Sequence, residues 1–238
     1  TPSPLISNTL NKEDTTYLNN LQKDKTEFGE VSKLIQKFFV QREQLEQEIF
    51  QRKRAEEKIK TSYNIQETVN SLLRLSLRDI PLTVLLRDAL NIILRNPGLP
   101  FKPMGSIFLV EDNPEAIVLK VQEYFSRAHQ KACAIVPFGK CICGKAALTK
   151  KIQFTNCLDE SHQIRYEGIE PHGHYCAPII FANRVLGVLN MYVKEGQSYT
   201  EKEEGLVSAI GSVLASLIAR KQAEEAERQA QLAEAIEG

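Results

Sequence analysis

From Phe28 to Tyr63, apolar side chains recur on a seven-residue period. With Phe28 as the first heptad position, the a/d series is Phe28, Val31, Ile35, Phe38, Arg42, Leu45, Ile49, Arg52, Glu56, Ile59 and Tyr63. Eight of these eleven are apolar, the remaining positions are rich in Gln, Glu, Lys and Arg, and no Pro interrupts the run. So narrow a stripe suits the seam of a two-stranded coiled coil and is too thin for an ordinary globular helix. Arg42, Arg52 and Glu56 fall inside the seam, which predicts a marginal coiled coil able to shift between packings. Residues 1–25 read as a polar lead-in and 26–63 as an N-terminal coiled-coil helix.

The pattern then widens. Val69, Leu72, Leu73, Leu75 and Leu77 predict a helix that packs on a core, Pro81 breaks it, and Leu82–Arg95 predicts a second helix that stops at Asn96-Pro97-Gly98. Beyond this the period changes from helical to alternating. Strands are expected at 105–110, 117–125, 132–136, 153–155, 175–180 and 185–193, with a short helix at 144–151 and an irregular stretch at 158–171. Asp112-Asn113-Pro114 marks one turn, and Phe181-Ala182-Asn183-Arg184 marks the tip of a hairpin. Thr200 with Glu203 fits a capping box for a last helix, whose apolar face is Leu206, Ile210, Val213, Leu214, Leu217 and Ile218. From residue 220 to 238 the helix turns Ala/Glu/Gln/Lys-rich and reads as the start of a C-terminal linker coiled coil, which needs a partner helix for stability. The expected class is therefore α+β: an antiparallel sheet with helices on one face, between long N- and C-terminal coiled-coil helices.

Composition narrows the function. Lys+Arg and Asp+Glu number 30 each in 238 residues, a formal net charge of zero. That lacks the basic excess expected of a nucleic-acid binder. No apolar run approaches the roughly 20 residues of a membrane span. The chain starts at Thr1 and reads as a piece of a longer protein. Five cysteines without disulfide-framework spacing fit a reducing cytoplasm, where clustered Cys serves metal or redox chemistry more often than structural bridging.

Four of those cysteines are concentrated in one segment: Cys141-Ile-Cys143, Cys157, and His172-Gly-His174-Tyr-Cys176. In extended backbone, residues at i, i+2 and i+4 point to one side. Thiolate and imidazole together suit zinc, iron or an iron–sulfur cluster. The expected ligands are Cys141, Cys143, Cys157 and Cys176 as thiolates, with His172 and His174 as further ligands or supporting donors. Thiolates near the N-terminus of the 144–151 helix gain from its dipole. Gly139, Gly144 and Gly173 are expected to let the backbone approach a bound centre. Three other readings stay open: small Cys side chains filling a sheet interior, a switchable disulfide with Cys141 and Cys143 accessible, and haem or an organic ligand held by His. Cys133 reads as core, and His129 and His162 as surface residues. Arg165, Tyr166 and Glu167 read as a solvated loop rather than an anion site.

Several segments together resemble the GAF family. They are Pro137-Phe-Gly139 followed by Gly144-Lys-Ala-Ala-Leu-Thr149, then Ile152-Gln-Phe-Thr155. Next come Ala177-Pro178-Ile179-Ile180 with Val185-Leu186-Gly187-Val188-Leu189-Asn190-Met191-Tyr192, and Tyr199-Thr-Glu-Lys-Glu-Glu204 before the last helix. The resemblance spans 64–219. Gln51-Arg-Lys-Arg-Ala-Glu-Glu57 and Ala219-Arg-Lys-Gln-Ala-Glu-Glu225 look like the linker helices of bacterial sensor histidine kinases and diguanylate cyclases. The resemblance implies a non-catalytic, two-component-type sensor that dimerises through its helices and feeds an output domain C-terminal to it. It also implies that 137–176 covers the ligand pocket. The sequence lacks the Cys-His pair of bilin-binding members and the Asn-Lys-Phe-Asp-Glu motif of cyclic-nucleotide-binding members, so those ligands are not carried over. An enzyme of the free methionine sulfoxide reductase kind, a GAF protein using cysteine chemistry, is the alternative.

Overall fold

The structure, a computed structural model, describes residues 27–96, 101–111 and 113–237. The expected lead-in at 1–25, the Pro97-Gly98 stop, Asp112 and the side chain of Phe28 lie outside the described residues. The chain divides into two compact units, 1–60 and 61–238.

In the first unit the described residues are helical throughout, forming the N-terminal part of α1 (Glu27–Leu75). Val31, Leu34, Phe38, Leu45, Ile49 and Ile59 are exposed along it. The polar seam residues are held within the helix: Arg42 pairs with Glu46 at 3.5 Å and Arg52 with Glu56 at 3.2 Å. Such i,i+4 pairs contribute only a few tenths of a kcal/mol.

The second unit is built on a six-stranded, wholly antiparallel sheet. Its strands are β1 (Gly105–Leu109), β2 (Ala116–Glu123), β3 (Ile135–Pro137), β4 (Gln153–Thr155), β5 (Gly173–Phe181) and β6 (Arg184–Val193), in the order β3-β2-β1-β6-β5-β4. The β5–β6 hairpin turns on Ala182 and Asn183, both at positive φ (46° and 64°), as a two-residue loop matched to strand twist demands. Side-chain alternation divides two cores between the faces of the sheet. Ile107, Leu109, Tyr175, Ala177, Ile179, Leu189, Met191 and Val193 face one way. They pack against the end of α1 (Leu72, Leu75), α2 (Leu82–Leu94) and the first half of α5 (Glu201–Glu237). Phe108, Ile117, Val136, Cys176 and Val188 face the other way, against α4 (Cys141–Thr149).

Local chemistry explains the ends of these elements. Pro81 precedes α2, where a residue at φ −57° and ψ 147° cannot continue the preceding helix. The Thr200 cap forms half of the expected box: Thr200 Oγ1 accepts from Glu203 N–H at 3.1 Å. The Glu203 carboxylate instead accepts from Tyr175 Oη–H at 2.8 Å, tying α5 to β5. Farther along α5, Lys221 is buried and its ammonium reaches Asp79 at 3.2 Å and Glu224 at 3.3 Å. The helix is therefore docked on the Asp79–Leu82 corner, where Leu82 N–H donates to Glu225 Oε1 at 3.4 Å, for about two turns past the point where the apolar face ends. Between β2 and β3 the sequence pattern missed the one-and-a-half-turn helix α3 (Arg127–Ala132), which Ser126 caps by accepting from His129 N–H at 3.2 Å. The third strand accordingly starts at Ile135, later than the pattern suggests. Among the described residues, no helix is long and apolar enough to cross a membrane.

Candidate metal centre

Residues 172–176 run into β5 in extended conformation, so His174 and Cys176 share the face that looks toward α4. Across the sheet, Tyr192 lies opposite His174, and Asn190 lies opposite Cys176. His172 precedes the strand, and its ring centroid is 5.5 Å from that of His174. His162, from the irregular 158–171 segment, completes a group of three. Its ring stacks on His174 with centroids 5.0 Å apart and planes 11° apart. It meets His172 edge to face, also at 5.0 Å. All three imidazoles are buried, and each offers one ligand nitrogen within 4.8 Å of the other two.

The hydrogen bonds orient these rings. A carbonyl oxygen can only accept, so His162 Nδ1 donates to Ile164 O at 3.2 Å and His172 Nδ1 donates to Glu170 O at 2.6 Å. His174 Nδ1 donates to Asn190 Oδ1 at 2.9 Å. Each ring thus keeps its lone pair on Nε2. The His162 and His172 Nε2 atoms face each other at 3.1 Å, and His174 Nε2 is buried without a partner. Burial, first, and the neighbouring imidazoles, second, hold His174 well below the ordinary imidazole range. Burial also takes His172 down to about 4. Two Nε2 atoms face to face and a third buried without a partner form an arrangement that a cation would satisfy. Metal-bound His characteristically commits its other nitrogen to a carbonyl or amide acceptor in this way. A tetrahedral zinc with bonds of roughly 2.0–2.1 Å would place its nitrogens about 3.3 Å apart, close to the His162–His172 spacing.

The cysteines are distributed differently from the sequence expectation. The structure does not bring the four thiols together. Cys143 and Cys176 sit Sγ to Sγ at 3.3 Å in the core beneath α4. Cys176 also donates its S–H to Asn190 Oδ1 at 3.5 Å. The Cys143 thiol is pushed up by its contact with Cys176 and by burial, and the Cys176 thiol by burial. Both are therefore protonated thiols rather than thiolates. Cys141, the first residue of α4, has its Sγ 4.0 Å from His162 Nδ1. Burial alone would raise its thiol, but hydrogen bonding to His162 and to the Ile164 backbone leaves it lowered. Cys157 stands apart in the turn after β4, where its carbonyl accepts from Thr155 Oγ1 at 2.9 Å. Cys133 is half-buried, and burial pushes it up to about 12.

Three expectations about individual residues are corrected. His162 and His129 are buried, at 5% and 2% exposure, not on the surface. Ile164, buried two residues after His162, is the signal that could have shown this stretch turning inward. Tyr166 is half-buried and stacks on His129 at 4.1 Å, whose other face stacks on Phe125 at 3.5 Å. Finally, Gly144 and Gly173 serve backbone packing rather than a bound centre. A Cβ at Gly144 would sit 2.2 Å from Pro137 O, and one at Gly173 would sit 2.3 Å from Thr155 O.

Tyr192 links the centre to an adjoining cleft. Its ring packs on His172 and His174 at 4.7 and 5.3 Å, and its hydroxyl meets His129 Nε2 at 3.0 Å. The cleft, of about 240 Å³, is lined by Lys102, Tyr124, His129, Tyr166, Glu170 and His172.

A sequence profile of the GAF domain matches residues 79–219. Among curated proteins, no sequence match was found. Solved structures give fold-level similarity. The GAF domain of a phosphoenolpyruvate-protein phosphotransferase from Coxiella burnetii aligns at TM-score 0.59 and 20% identity, covering 69% of this chain and 98% of that one. The A. aeolicus nlh2 GAF domain in an inactive state aligns at 0.54 and 16%, covering 68% and 99%. Free methionine-R-sulfoxide reductase from Neisseria meningitidis, in complex with its substrate, aligns at 0.56 and 15%, covering 67% and 91%. With its curled antiparallel sheet, the helices behind it and a profile match over more than half its length, the chain belongs to the GAF domain family.

Proposed function

We propose that this chain is a sensory GAF module that holds a single divalent metal ion, zinc or iron, on the Nε2 atoms of His162, His172 and His174. One observation carries the reading: three buried imidazoles each turn Nδ1 to a fixed oxygen, one ligand nitrogen of each lies within 4.8 Å of the other two, and His174 Nε2 has no hydrogen-bond partner. Three protein nitrogens leave a tetrahedral ion one position for water or a small ligand, so the centre can report on what binds there. Strand β5 supports a relay. His174 on one face belongs to the centre, while Tyr175 on the other face bonds Glu203 of α5. A change at the centre would reach α5 through this strand and pass along the coiled-coil helices of a homodimer to an output domain. In this reading the chain performs no catalysis of its own.

The test is metal content and Co²⁺ titration of chelator-treated protein. One equivalent of zinc or iron as purified, with Co²⁺ giving ligand-field bands that His162→Ala and His174→Ala abolish, is expected. Protein that carries no metal and takes up no Co²⁺ defeats the reading.

A second reading, cysteine-based sulfoxide reduction, is favoured by Cys141, whose thiol is lowered beside His162. It requires the purified chain to consume free methionine sulfoxide in the presence of a thiol reductant, with loss of activity in Cys141→Ser.

A further inference from the structure

The metal centre leaves unused the most closely spaced pair of nucleophilic side chains in the core. Cys143 Sγ on α4 and Cys176 Sγ on β5 are 3.3 Å apart, with Cys143 6% exposed and Cys176 fully buried. Their position is not neutral with respect to the histidines. Asn190 Oδ1 accepts from Cys176 Sγ–H at 3.5 Å and from His174 Nδ1–H at 2.9 Å. A single amide oxygen therefore joins a dithiol to a proposed metal ligand two residues away on the same strand face.

We propose that Cys143 and Cys176 form a reversible disulfide site, and that its oxidation weakens metal binding at His162, His172 and His174. The second half rests on the metal reading above, whereas the first does not. The oxidant is a hydroperoxide. The Cys143 thiol, the less buried of the two, first gives up its proton; its thiolate sulfur attacks the peroxide, the O–O bond breaks, an alcohol leaves with that proton, and a sulfenic acid forms. The second sulfur then attacks the first, the S–S bond forms, the S–O bond breaks, and water leaves with the remaining thiol proton. Two thiols lose two electrons, and one hydroperoxide gains them, giving one alcohol and one water.

Bonding requires the two sulfurs to approach by just over 1 Å, since an S–S bond is about 2.05 Å long. It also removes the Cys176 S–H, so Asn190 loses one of the two donors that orient its amide, and the support of His174 loosens with it. Loss of such a supporting contact typically lowers metal affinity 10–100-fold. By linkage, a bound redox-inactive ion favours the dithiol. Each tenfold difference in affinity raises the midpoint of the pair by about 30 mV at saturating metal.

The experiment uses the whole 238-residue chain. Metal-free protein is treated with hydrogen peroxide, the excess is destroyed with catalase, disulfides are mapped by mass spectrometry of non-reduced fragments, and Co²⁺ is titrated before and after phosphine reduction. A Cys143–Cys176 crosslinked fragment is expected. Co²⁺ affinity should fall at least tenfold on oxidation and recover on reduction, and Cys143→Ser should bind Co²⁺ equally before and after peroxide. The fragment map needs no variant, so a misfolded mutant does not leave the pair unjudged. Thiols that stay free, or that pair with other cysteines, overturn the disulfide site. Equal affinity in the oxidised and reduced wild type overturns the coupling. Reduced protein that binds no Co²⁺ overturns the metal reading and the coupling together, while the fragment map still decides on the disulfide.

Discussion

His129 is held between the rings of Phe125 and Tyr166, with Tyr192 Oη on its Nε2 and the imidazoles of His172 and His162 nearby. Burial, and then those two histidines, take it from the usual 6.5 down to about 4. The sign follows directly. Below pH 6.5 the unfolded chain binds a proton that folded His129 refuses, so stability is complete above 6.5 and drains away as pH falls toward 4. The melting temperature should therefore drop over that window, and His129→Phe, which keeps the ring stack, should drop less steeply; equal slopes in thermal melts from pH 7 to 4 would count against this assignment. Steric demand acts at the same scale. Gly173→Ala would drive a Cβ to 2.3 Å from Thr155 O and 2.6 Å from Asn156 Cα, and neither is the tip of a flexible side chain. A loss of about 2 kcal/mol or more in denaturant unfolding is expected, with β4 pulled from β5. The sequence shows this glycine between two histidines but not what it touches, because the close approach is made by Thr155 at the end of an earlier strand. In the same way, the i, i+2 spacing of His172 and His174 was legible as a shared side. The third ring was not, since His162 reaches the group through an irregular segment that has no period to read.

At the scale of elements, α1 presents Val31, Phe38, Leu45, Ile49 and Ile59 to solvent in a single chain, on the heptad seam. Covering such a seam with a second helix is the usual outcome. Phe38→Asp with Leu45→Asp should convert a dimer to a monomer in light scattering. Arg42→Leu with Arg52→Leu should raise the melting temperature of the dimer, because their ion pairs are intrahelical and exposed and contribute little. A wild type that is monomeric at micromolar concentration would remove the basis for both. Elements with a strong period were the readable ones: the β5–β6 hairpin, α2 and the capped start of α5. Helix α3 was not, because six residues make less than two turns and its identity rests on a single Ser126 cap. The expected four-thiol set failed to assemble for a related reason. Cys143 lies on a helix and Cys176 on a strand, and their meeting is a product of how α4 packs on the sheet.

On the scale of the whole domain, the histidine group connects parts that the sheet alone does not. His172 and His174 come with β5, and His162 comes from the 158–171 segment, so an ion on all three would hold that segment to the sheet face opposite the long helices. Because the ion would bind the folded chain and not the unfolded one, it would stabilise by mass action. At a free zinc concentration 100 times the dissociation constant, the gain is about 2.7 kcal/mol. For a domain of this size each kcal/mol moves the midpoint by roughly 2–4 °C, so zinc should raise the melting temperature of chelator-treated protein by about 5–10 °C. His162→Ala should lose that increment whatever its own metal-free midpoint. Cys157→Ser, which changes a residue outside the group, should keep it in full. A zinc increment retained by His162→Ala and lost by Cys157→Ser would transfer the site from the imidazoles to the thiols and restore the ligand set that the cysteine spacing first suggested.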